Sequence, residues 1–212
     1  MRASHEENGA MPLAEYRRKR RFTKTPEPKG SAPARRQTGG GRRLFVVQKH
    51  RATALHYDFR LEANGVLVSW AVPKGPSLDP SQKRLAMAVE DHPLDYARFE
   101  GTIPEGEYGG GTVMVWDIGT YELEDDEDFA TAYKKGRLTF TLHGKKLKGT
   151  WSLIRTRGPR QWLLFKRTDR YASKAVDIIE EKPRSVLTRR LLADIARQGG
   201  GDVEKAATGD PR

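Results

Sequence analysis

Short segments in which apolar and polar residues alternate follow one another from Leu44 to Lys166. His56–Glu62 alternates cleanly, Asn64-Gly65 is typical of a two-residue hairpin turn, and Val66–Val72 is the apolar return strand. Regular short strands separated by turn signals predict a mainly β fold, a compact barrel or a sandwich. The other predicted strands are Leu44–Gln48, Arg84–Glu90, Gly111–Asp117, Thr120–Leu123, Arg137–Leu142, Thr150–Arg155 and Gln161–Lys166.

Peripheral helices and tails complete the predicted organisation. Short helices are expected at Phe129–Lys135, Ser173–Glu181 and Thr188–Arg197. Residues 1–43 are rich in Pro, Gly, Ser and Arg, so we expect a largely disordered arm in which only Leu13–Phe22 is helical. The predicted segments are the arm at 1–43, the β-barrel domain at 44–170, the C-terminal helices at 171–198 and a disordered tail at 199–212.

Positive charge is concentrated in that arm. The 212 residues contain 39 Lys and Arg against 28 Asp and Glu, a net charge of +11. Residues 1–43 hold 12 of the basic and 4 of the acidic residues. An excess of this kind favours an anionic partner, most often nucleic acid, along whose phosphates the arm would lie. The alternative is a solvated tail without a ligand.

Composition also narrows the chemistry and the location. The chain has no Cys, which excludes thiolate nucleophiles and Cys-based metal sites. Its longest apolar run, around Val66–Val72, is far below the ~20 residues that span a bilayer, and the N-terminus lacks the apolar stretch of a secretory signal. We therefore expect a soluble cytoplasmic protein, associated with the nucleoid, and no membrane partner.

One predicted strand carries a row of polar side chains with metal-binding and phosphate-binding chemistry. Because a strand alternates its faces, His56, Asp58 and Arg60 share one face, while Tyr57, Phe59 and Leu61 form the core face. His50 lies six residues upstream, at the end of the preceding strand. Two imidazoles and a carboxylate suit a divalent transition metal, and an arginine forks onto phosphate. The alternative is a polar barrel face with satisfied hydrogen bonds.

A second group of polar residues follows the strand that contains Arg84 and Glu90. We expect these two side chains to point the same way as the intervening alanines, with His92 and Tyr96 in the loop beyond. Spacing leaves open whether they are functional or merely packed. The glycine-rich stretch from Gly101 to Gly111 lacks the Lys-Ser/Thr of a P-loop and precedes a strand, so we expect tight turn geometry there.

Taken in order, five motifs resemble a known family. They are His50…His56-Tyr-Asp-Phe-Arg60, Trp70-Ala-Val-Pro-Lys-Gly75, Val89-Glu-Asp-His-Pro-Leu-Asp-Tyr96, Gly101-Thr-Ile-Pro-Glu-Gly-Glu-Tyr-Gly109 and Val115-Trp-Asp-Ile-Gly-Thr120. The chain resembles the 3′-phosphoesterase domain of bacterial DNA ligase D, in its stand-alone form. The resemblance implies a β-barrel enzyme that uses Mn²⁺ or another divalent transition metal. It would remove a 3′-terminal ribonucleotide from a primer strand and then the remaining 3′-phosphate, leaving a 3′-hydroxyl.

The resemblance also implies roles for individual residues. The metal ligands would be His50, His56 and Asp58, and Arg60 and His92 would contact the scissile phosphate. The remaining pocket residues implied by the motifs are Gln48, Lys74, Arg84, Glu90 and Tyr96. In the arm, Arg20 and Glu27 match residues that the family needs for ribonucleoside removal. The family usually has Asp after that arginine, whereas this chain has Arg21, a departure that bears on the ribonuclease step.

Two further functional hypotheses belong to other classes. One is a non-catalytic module that binds DNA ends, which would bind a duplex without turnover. The other is a docking partner of a repair ligase, which would co-purify with a ligase or with Ku-like proteins. In the enzymatic hypothesis the substrates are primer–template 3′ ends, and a repair ligase, a polymerase or Ku-like proteins are the expected protein partners.

Overall fold

The computed structural model describes residues 13–30, 42–124 and 127–211. Within these ranges the chain forms mainly strands with a few short helices. The strands are β1 Arg43–Arg51, β2 Leu55–Ala63, β3 Val66–Val72, β4 Arg84–Pro93, β5 Gly101–Ile103, β6 Gly111–Leu123, β7 Arg137–Gly144, β8 Lys148–Arg155 and β9 Gln161–Lys166. The helices are α1 Ala14–Arg18, α2 Phe129–Lys135, α3 Ile178–Glu181, α4 Leu192–Gln198 and α5 Val203–Ala207, with a 3₁₀ turn at Leu94–Arg98.

Eight of the strands close into an antiparallel barrel. The sheet runs in the order β1-β2-β3-β4-β9-β8-β7-β6, and β1 also pairs with β6 along its length, which closes the ring. The short strand β5, which the sequence analysis missed, pairs with the start of β6. The two strands predicted at 111–117 and 120–123 are one strand, β6. The expected mainly β barrel with peripheral helices is confirmed.

The hairpin between β2 and β3 has the predicted turn. Asn64 and Gly65 both have positive φ, 51° and 81°, as a two-residue turn of type I′ requires. Asn and Gly reach this region at least cost, so the dipeptide sets the register of the hairpin. Phe59 consequently lies opposite Trp70, and Arg60 lies opposite Ser69.

Alternation on the strands separates an apolar interior from a polar exterior. Phe59, Trp70, Trp116, Trp151 and Trp162 are fully buried within the barrel. Burial of one such large side chain stabilises the fold by about 1.5–3 kcal/mol. The odd-numbered residues of β2 supply this core, as predicted, which leaves Asp58 and Arg60 on the outer surface of the barrel.

A second, smaller core covers part of that outer surface. Leu13 and Tyr16 of the N-terminal segment pack with Leu67, Tyr96 and Val115 outside the barrel wall. The prediction of a largely disordered arm is therefore wrong for residues 13–30, which fold against the barrel. The remainder of the arm, residues 1–12 and 31–41, lies outside the described residues. The order of residues 13–30 depends on partners elsewhere in the chain, which local composition does not reveal.

The C-terminal region also packs on the barrel. The predicted helix at 173–181 is formed only over α3, and the one at 188–197 corresponds to α4. Leu192, Ile195 and Ala206 are buried against the main core, so the segment expected to be a disordered tail contains a docked helix, α5. Among the described helices, none combines the length and apolar character that crossing a bilayer requires.

A candidate active site on the outer face of the barrel

The hairpin of β1 and β2 brings two imidazoles and one carboxylate together. His50 lies opposite His56 in the register, and Gln48 lies opposite Asp58. One ligand atom from each of His50, His56 and Asp58 lies within 4.8 Å of the other two. Nδ1 of His50 and Nε2 of His56 are each 3.7 Å from an oxygen of Asp58. The outer face of the hairpin thus presents a compact N, N, O donor set.

Backbone carbonyls fix the orientation of both imidazoles. Nε2 of His50 donates to the carbonyl of Gly109 at 2.9 Å, and Nδ1 of His56 donates to the carbonyl of Ala54 at 3.1 Å. A carbonyl only accepts, so the proton of each neutral ring sits on that nitrogen and the other nitrogen turns its lone pair towards Asp58. Metal-binding histidines have this outer-shell arrangement. These residues therefore fit a divalent transition metal.

Arg60 is held beside the donor set by three side chains. Its guanidinium donates to Gln48 Oε1 at 2.8 Å, to Ser69 Oγ at 2.8 Å and to Asp58 Oδ2 at 3.0 Å, and the residue is only 2% exposed. Burial alone would raise the pKa of Asp58, but the adjacent charge of Arg60 outweighs it and holds that pKa well below its usual value. Asp58 is therefore ionised at any neutral pH.

His92 lies between two arginines. Its Nε2 is 3.1 Å from Nη2 of Arg20, and its Nδ1 is 2.9 Å from both the Glu90 carbonyl and Nη1 of Arg60. Arg20 can only donate, so Nε2 accepts and the ring proton on Nδ1 goes to the carbonyl of Glu90, which leaves Nη1 of Arg60 in contact with Nδ1 without a hydrogen bond to it. Burial, followed by the charges of Arg60 and Arg20, lowers the pKa of His92 well below its usual value. The imidazole is neutral in this arrangement.

A β-bulge in β4 places Glu90 and His92 on the site side of the barrel. Ala88 lies opposite Trp70 and faces the core, whereas Glu90 and Asp91, the two residues of β4 between Val89 and His92, lie opposite the single residue Val68 of β3. The extra residue reverses the phase of alternation. The expectation that Arg84 and Glu90 point the same way is therefore wrong, because the bulge separates them.

The N-terminal segment completes the site with buried charge pairs. Nε of Arg20 donates to Glu27 Oε1 at 2.8 Å and Nη1 to Glu90 Oε1 at 3.2 Å, while Lys19 Nζ donates to Glu90 Oε2 at 3.0 Å. The guanidinium of Arg20 also lies over the ring of Tyr16, 3.9 Å from its centroid. Glu27, Arg20 and Glu90 thus join the arm to the barrel through one hydrogen-bonded network.

Tyr96 ties this network to the residues around Arg60. Its hydroxyl donates to Glu27 Oε1 at 2.9 Å, and its backbone carbonyl accepts from Gln48 Nε2 at 3.0 Å. Burial and then the charge of Glu27 raise the pKa of Tyr96 well above its usual value, so the hydroxyl remains a donor. Gln48 therefore holds Arg60 in place by accepting its hydrogen bond, and Tyr96 holds Glu27 in place by donating one.

Lys74 and Arg84 are not part of this cluster. Lys74 is exposed in the turn after β3, and Arg84 lies opposite Leu164, on the other side of the bulge from Glu90. Nε of Arg84 is buried without a hydrogen-bond partner among the described residues. The other predicted residues, by contrast, form one connected set through the contacts given above.

Three residues that the sequence analysis did not assign to the site also belong to it. Ser69 accepts from Arg60, the Gly109 carbonyl holds His50, and the hydroxyl of Tyr108 lies 3.2 Å from Lys19 Nζ. Gly109 and Tyr108 belong to the glycine-rich stretch, which was assigned to turn geometry alone. The sequence signal that could have indicated a role in the site was the position of this stretch directly before β6, the strand that pairs with β1.

Arg21, the departure from the family pattern, has a partner in the same loop. Its Nε lies 3.0 Å from Glu107 Oε2 and its Nη2 lies 2.7 Å from Glu107 Oε1. The arginine side chain is 61% exposed, whereas that of Glu107 is 9% exposed. The segment of residues 13–30 is therefore joined to the loop between β5 and β6 by a two-pronged ion pair at the rim of the site.

Comparison with known proteins assigns this arrangement to a family. Residues 48–155, which contain the donor set, Arg60, His92 and the loop before β6, match the family described as the DNA Ligase D 3′-phosphoesterase domain. The chain belongs to this family. As a DNA ligase D 3′-phosphoesterase domain it falls among the hydrolases that cleave phosphate esters, in agreement with the resemblance that the five motifs indicated.

Relatives of this phosphoesterase domain are longer proteins. The chain is 55% identical over 186 residues to the multifunctional non-homologous end joining protein LigD of Pseudomonas aeruginosa, covering 85% of this chain and 22% of the relative. It is 50% identical over 151 residues to the multifunctional non-homologous end joining DNA repair protein LigD of Mycobacterium tuberculosis, covering 71% and 19%. The LigD protein of Mycolicibacterium smegmatis is 42% identical over 173 residues. The chain therefore spans about a fifth of the length of these curated relatives.

Proposed function

We propose that this chain is a manganese-dependent phosphoesterase that repairs the 3′ ends of DNA during end joining. It removes a 3′-terminal ribonucleotide to leave a 3′-phosphate, and then removes that phosphate to leave a 3′-hydroxyl. Primer–template 3′ ends are its substrates. A repair ligase, a polymerase or Ku-like end-binding proteins would act with it, in the cytoplasm at the nucleoid.

The charge pairing within the site is the observation that carries this proposal. Asp58 is paired with Arg60, Glu27 with Arg20, and Glu90 with Lys19, so the carboxylates and cations balance. A divalent metal ion would add two positive charges next to Arg60. A terminal phosphate dianion carries two negative charges and would restore the balance. Such a site favours a phosphate ester over an uncharged substrate.

His50, His56 and Asp58 would hold the metal, as their orientation supports. A manganese ion supplies Lewis-acid polarisation of a phosphoryl oxygen when bound. Arg60 would bind the same phosphoryl group, with its guanidinium held in place by Gln48 and Ser69. Because Gln48 and Ser69 are buried, Arg60 does not reorganise when charge develops on the substrate, which is the basis of electrostatic stabilisation.

His92 would act as a neutral imidazole before the substrate enters. An incoming phosphate offsets the charges of Arg60 and Arg20, so the pKa of His92 would rise on binding. The ring would then accept a proton and either neutralise the phosphate or protonate the leaving oxygen. Both roles require His92 to lie beside the phosphoryl group that Arg60 binds.

The N-terminal segment would distinguish the two reactions. Arg20 and Glu27 lie on the side of His92 away from Arg60, where the terminal nucleoside would extend from the phosphate. Ribonucleoside removal therefore depends on them more strongly than phosphate removal does. Lys74 and Arg84, which do not contact the cluster, would act at its margin when DNA is bound.

The test uses a 5′-labelled primer–template with one 3′-terminal ribonucleotide, incubated with Mn²⁺ and resolved on a gel. We expect conversion through a 3′-phosphate to a 3′-hydroxyl, and no conversion in EDTA. His56→Ala should abolish both steps and weaken Mn²⁺ binding measured by calorimetry. His143→Ala is the matched control, because His143 lies on β7, outside the donor set, where its imidazole contacts Glu122.

Two outcomes would overturn the proposal. Full phosphatase activity in the His56→Ala variant would exclude the assigned metal site. Tight duplex binding without any turnover, in the presence of Mn²⁺, would favour the non-catalytic DNA-end-binding module instead.

A further inference from the structure

Tyr108 is an exposed aromatic residue at the rim of the site. It is 46% exposed, although large apolar side chains of this chain are mostly buried. Its hydroxyl lies 3.2 Å from Lys19 Nζ and 3.4 Å from Glu90 Oε2, which fixes the far edge of the ring. The ring is therefore held in one orientation while a large part of its surface faces solvent.

The loop that carries Tyr108 is anchored to the candidate metal centre. The neighbouring Gly109 carbonyl accepts from Nε2 of His50 at 2.9 Å. Two residues further on, Gly111 passes so close to the β1–β2 hairpin that a Cβ would lie 2.2 Å from the carbonyl oxygen of Arg51. Only glycine fits there, and from the next residue onwards β6 pairs with β1, with Thr112 opposite Arg51, so the end of the loop is fixed against the hairpin. Tyr108 is thus positioned relative to His50 by two short tethers.

Cations surround the same ring. Lys19 Nζ lies 4.7 Å from the ring centroid and the guanidinium carbon of Arg20 lies 5.5 Å from it. The ion pair between Arg21 and Glu107 is adjacent in sequence to these residues, since Arg21 follows Arg20 and Glu107 precedes Tyr108. An aromatic surface flanked by basic side chains is the chemistry that binds single nucleotides, since every base has a stacking face and every link has a phosphate.

We propose that Tyr108 stacks on the terminal nucleoside of the DNA strand and positions its 3′ phosphate ester over the metal site. This inference rests on the proposed function and adds a specificity-determining residue to it. The stack selects for a terminal base without reading its identity. It also distinguishes a nucleotide end from a small phosphate monoester that fits the same phosphate site.

The test is a cycle between the protein side chain and the terminal base. Wild type, Tyr108→Phe and Tyr108→Leu are assayed on 3′-phosphate primers that end in a normal nucleotide or in 1,2-dideoxyribose, which lacks a base. For the normal end we expect Tyr108→Leu to raise KM about 10-fold, within the range for loss of one base stack, with little change in kcat. Tyr108→Phe keeps the ring and should stay within about 3-fold of wild type.

The base-free end separates stacking from a structural role. We expect wild type to have about 10-fold lower kcat/KM on the base-free end than on the normal end. On the base-free end Tyr108→Leu should have the same kcat/KM as wild type, because no base stack remains to be lost. Tyr171→Leu is the matched control, since Tyr171 is 37% exposed and also contacts an arginine, but lies in the segment after β9.

Other results would overturn the inference. If Tyr108→Leu weakens both substrates equally, the residue only orders the loop. If Tyr108→Phe is as impaired as Tyr108→Leu, the hydroxyl matters and the ring does not. Failure of the proposed function would be recognised separately, because wild type would then release no phosphate from either substrate.

Discussion

Nη2 of Arg20 lies 3.1 Å from Nε2 of His92, which brings the N-terminal segment into hydrogen-bond contact with a residue of the barrel site. The guanidinium meets the imidazole nitrogen that faces away from Arg60. Barrel and arm therefore contribute adjacent atoms to one site, although 72 residues separate these two positions in the chain. Residues 13–30 are therefore part of the folded domain, and not only a source of positive charge.

Replacing Arg20 with Ala should destabilise the fold as well as the reaction. Glu27 and Glu90 would lose a buried positive partner, and removing one member of a buried ion pair typically costs about 3–5 kcal/mol. We expect the free energy of unfolding in urea to fall by about that amount, and ribonucleoside removal to fall more than phosphate removal. Arg18→Ala, a change of an exposed residue at the end of α1 in the same N-terminal segment, is the control. Equal loss of both activities would mean that the arm supplies DNA affinity alone.

The ion pair between Arg21 and Glu107 should tolerate reversal of its charges. Arg21→Glu places two carboxylates together and should raise KM for the ribonucleotide primer a few-fold, as expected when an exposed pair worth about 0.2–1 kcal/mol becomes repulsive. Adding Glu107→Arg should restore the wild-type KM. A single variant that outperforms wild type would show that this position contacts the substrate and not the loop. Steady-state kinetics at low and high salt measure the effect.

Asp91 should make the stability of the protein fall as pH rises through the acidic range. Burial, then the neighbouring charges of Glu15 and Glu90, raise its pKa from 3.8 to about 6. The folded state therefore binds more protons than the unfolded state between these values, so unfolding becomes easier as Asp91 ionises.

Asp91→Asn removes this penalty. We expect the variant to be more stable than wild type by on the order of 1–2 kcal/mol at pH 7, after allowing for partial exposure of the carboxyl, and not at pH 3.5. Urea unfolding at a series of pH values measures the difference. Stability curves that remain parallel over that range would rule out Asp91 as the group responsible.

Asp210 should hold the C-terminal helices on the barrel. Its carboxylate accepts from the backbone amides of Leu192 and Ala193 at the start of α4, at 3.0 and 2.9 Å. Asp210→Ala should lower the free energy of unfolding by about 1 kcal/mol, the usual cost of losing such a cap, and speed hydrogen exchange at those two amides. Asp202→Ala removes the corresponding cap of α5 and is the comparison. Unchanged exchange at Leu192 would show that the segment docks without this contact.

The local sequence pattern was sufficient to predict the barrel and the part of the site that lies on β2. Alternation in β2 separated Phe59 from Asp58 and Arg60, and Asn64-Gly65 specified the hairpin, because both follow from backbone geometry of adjacent residues. The bulge in β4 was not predictable in this way. It exists only in the pairing with β3, and it moves Glu90 and His92 to the site while leaving Arg84 behind.

The arm and the tail were missed for a related reason. Tyr16 and Glu27 are buried by residues of the barrel, and Ile195 and Ala206 are buried by its core, so their order depends on distant partners. Low local hydrophobicity indicates only that a segment buries too little apolar surface to fold by itself. It does not indicate that such a segment stays unfolded when a complementary surface is available.

Because core and site residues alternate along the same strands, the stability of this domain and the chemistry of its outer face can be varied separately. Phe59 points into the barrel and its neighbours Asp58 and Arg60 point out, so a repacked interior need not touch the candidate site. Redesigning the interior around Phe59 and Trp70 could raise thermal stability while the residues of the outer face stay unchanged. Conversely, variants with new substrates could be sought by randomising the residues of the outer face alone, while the residues of the barrel core stay unchanged.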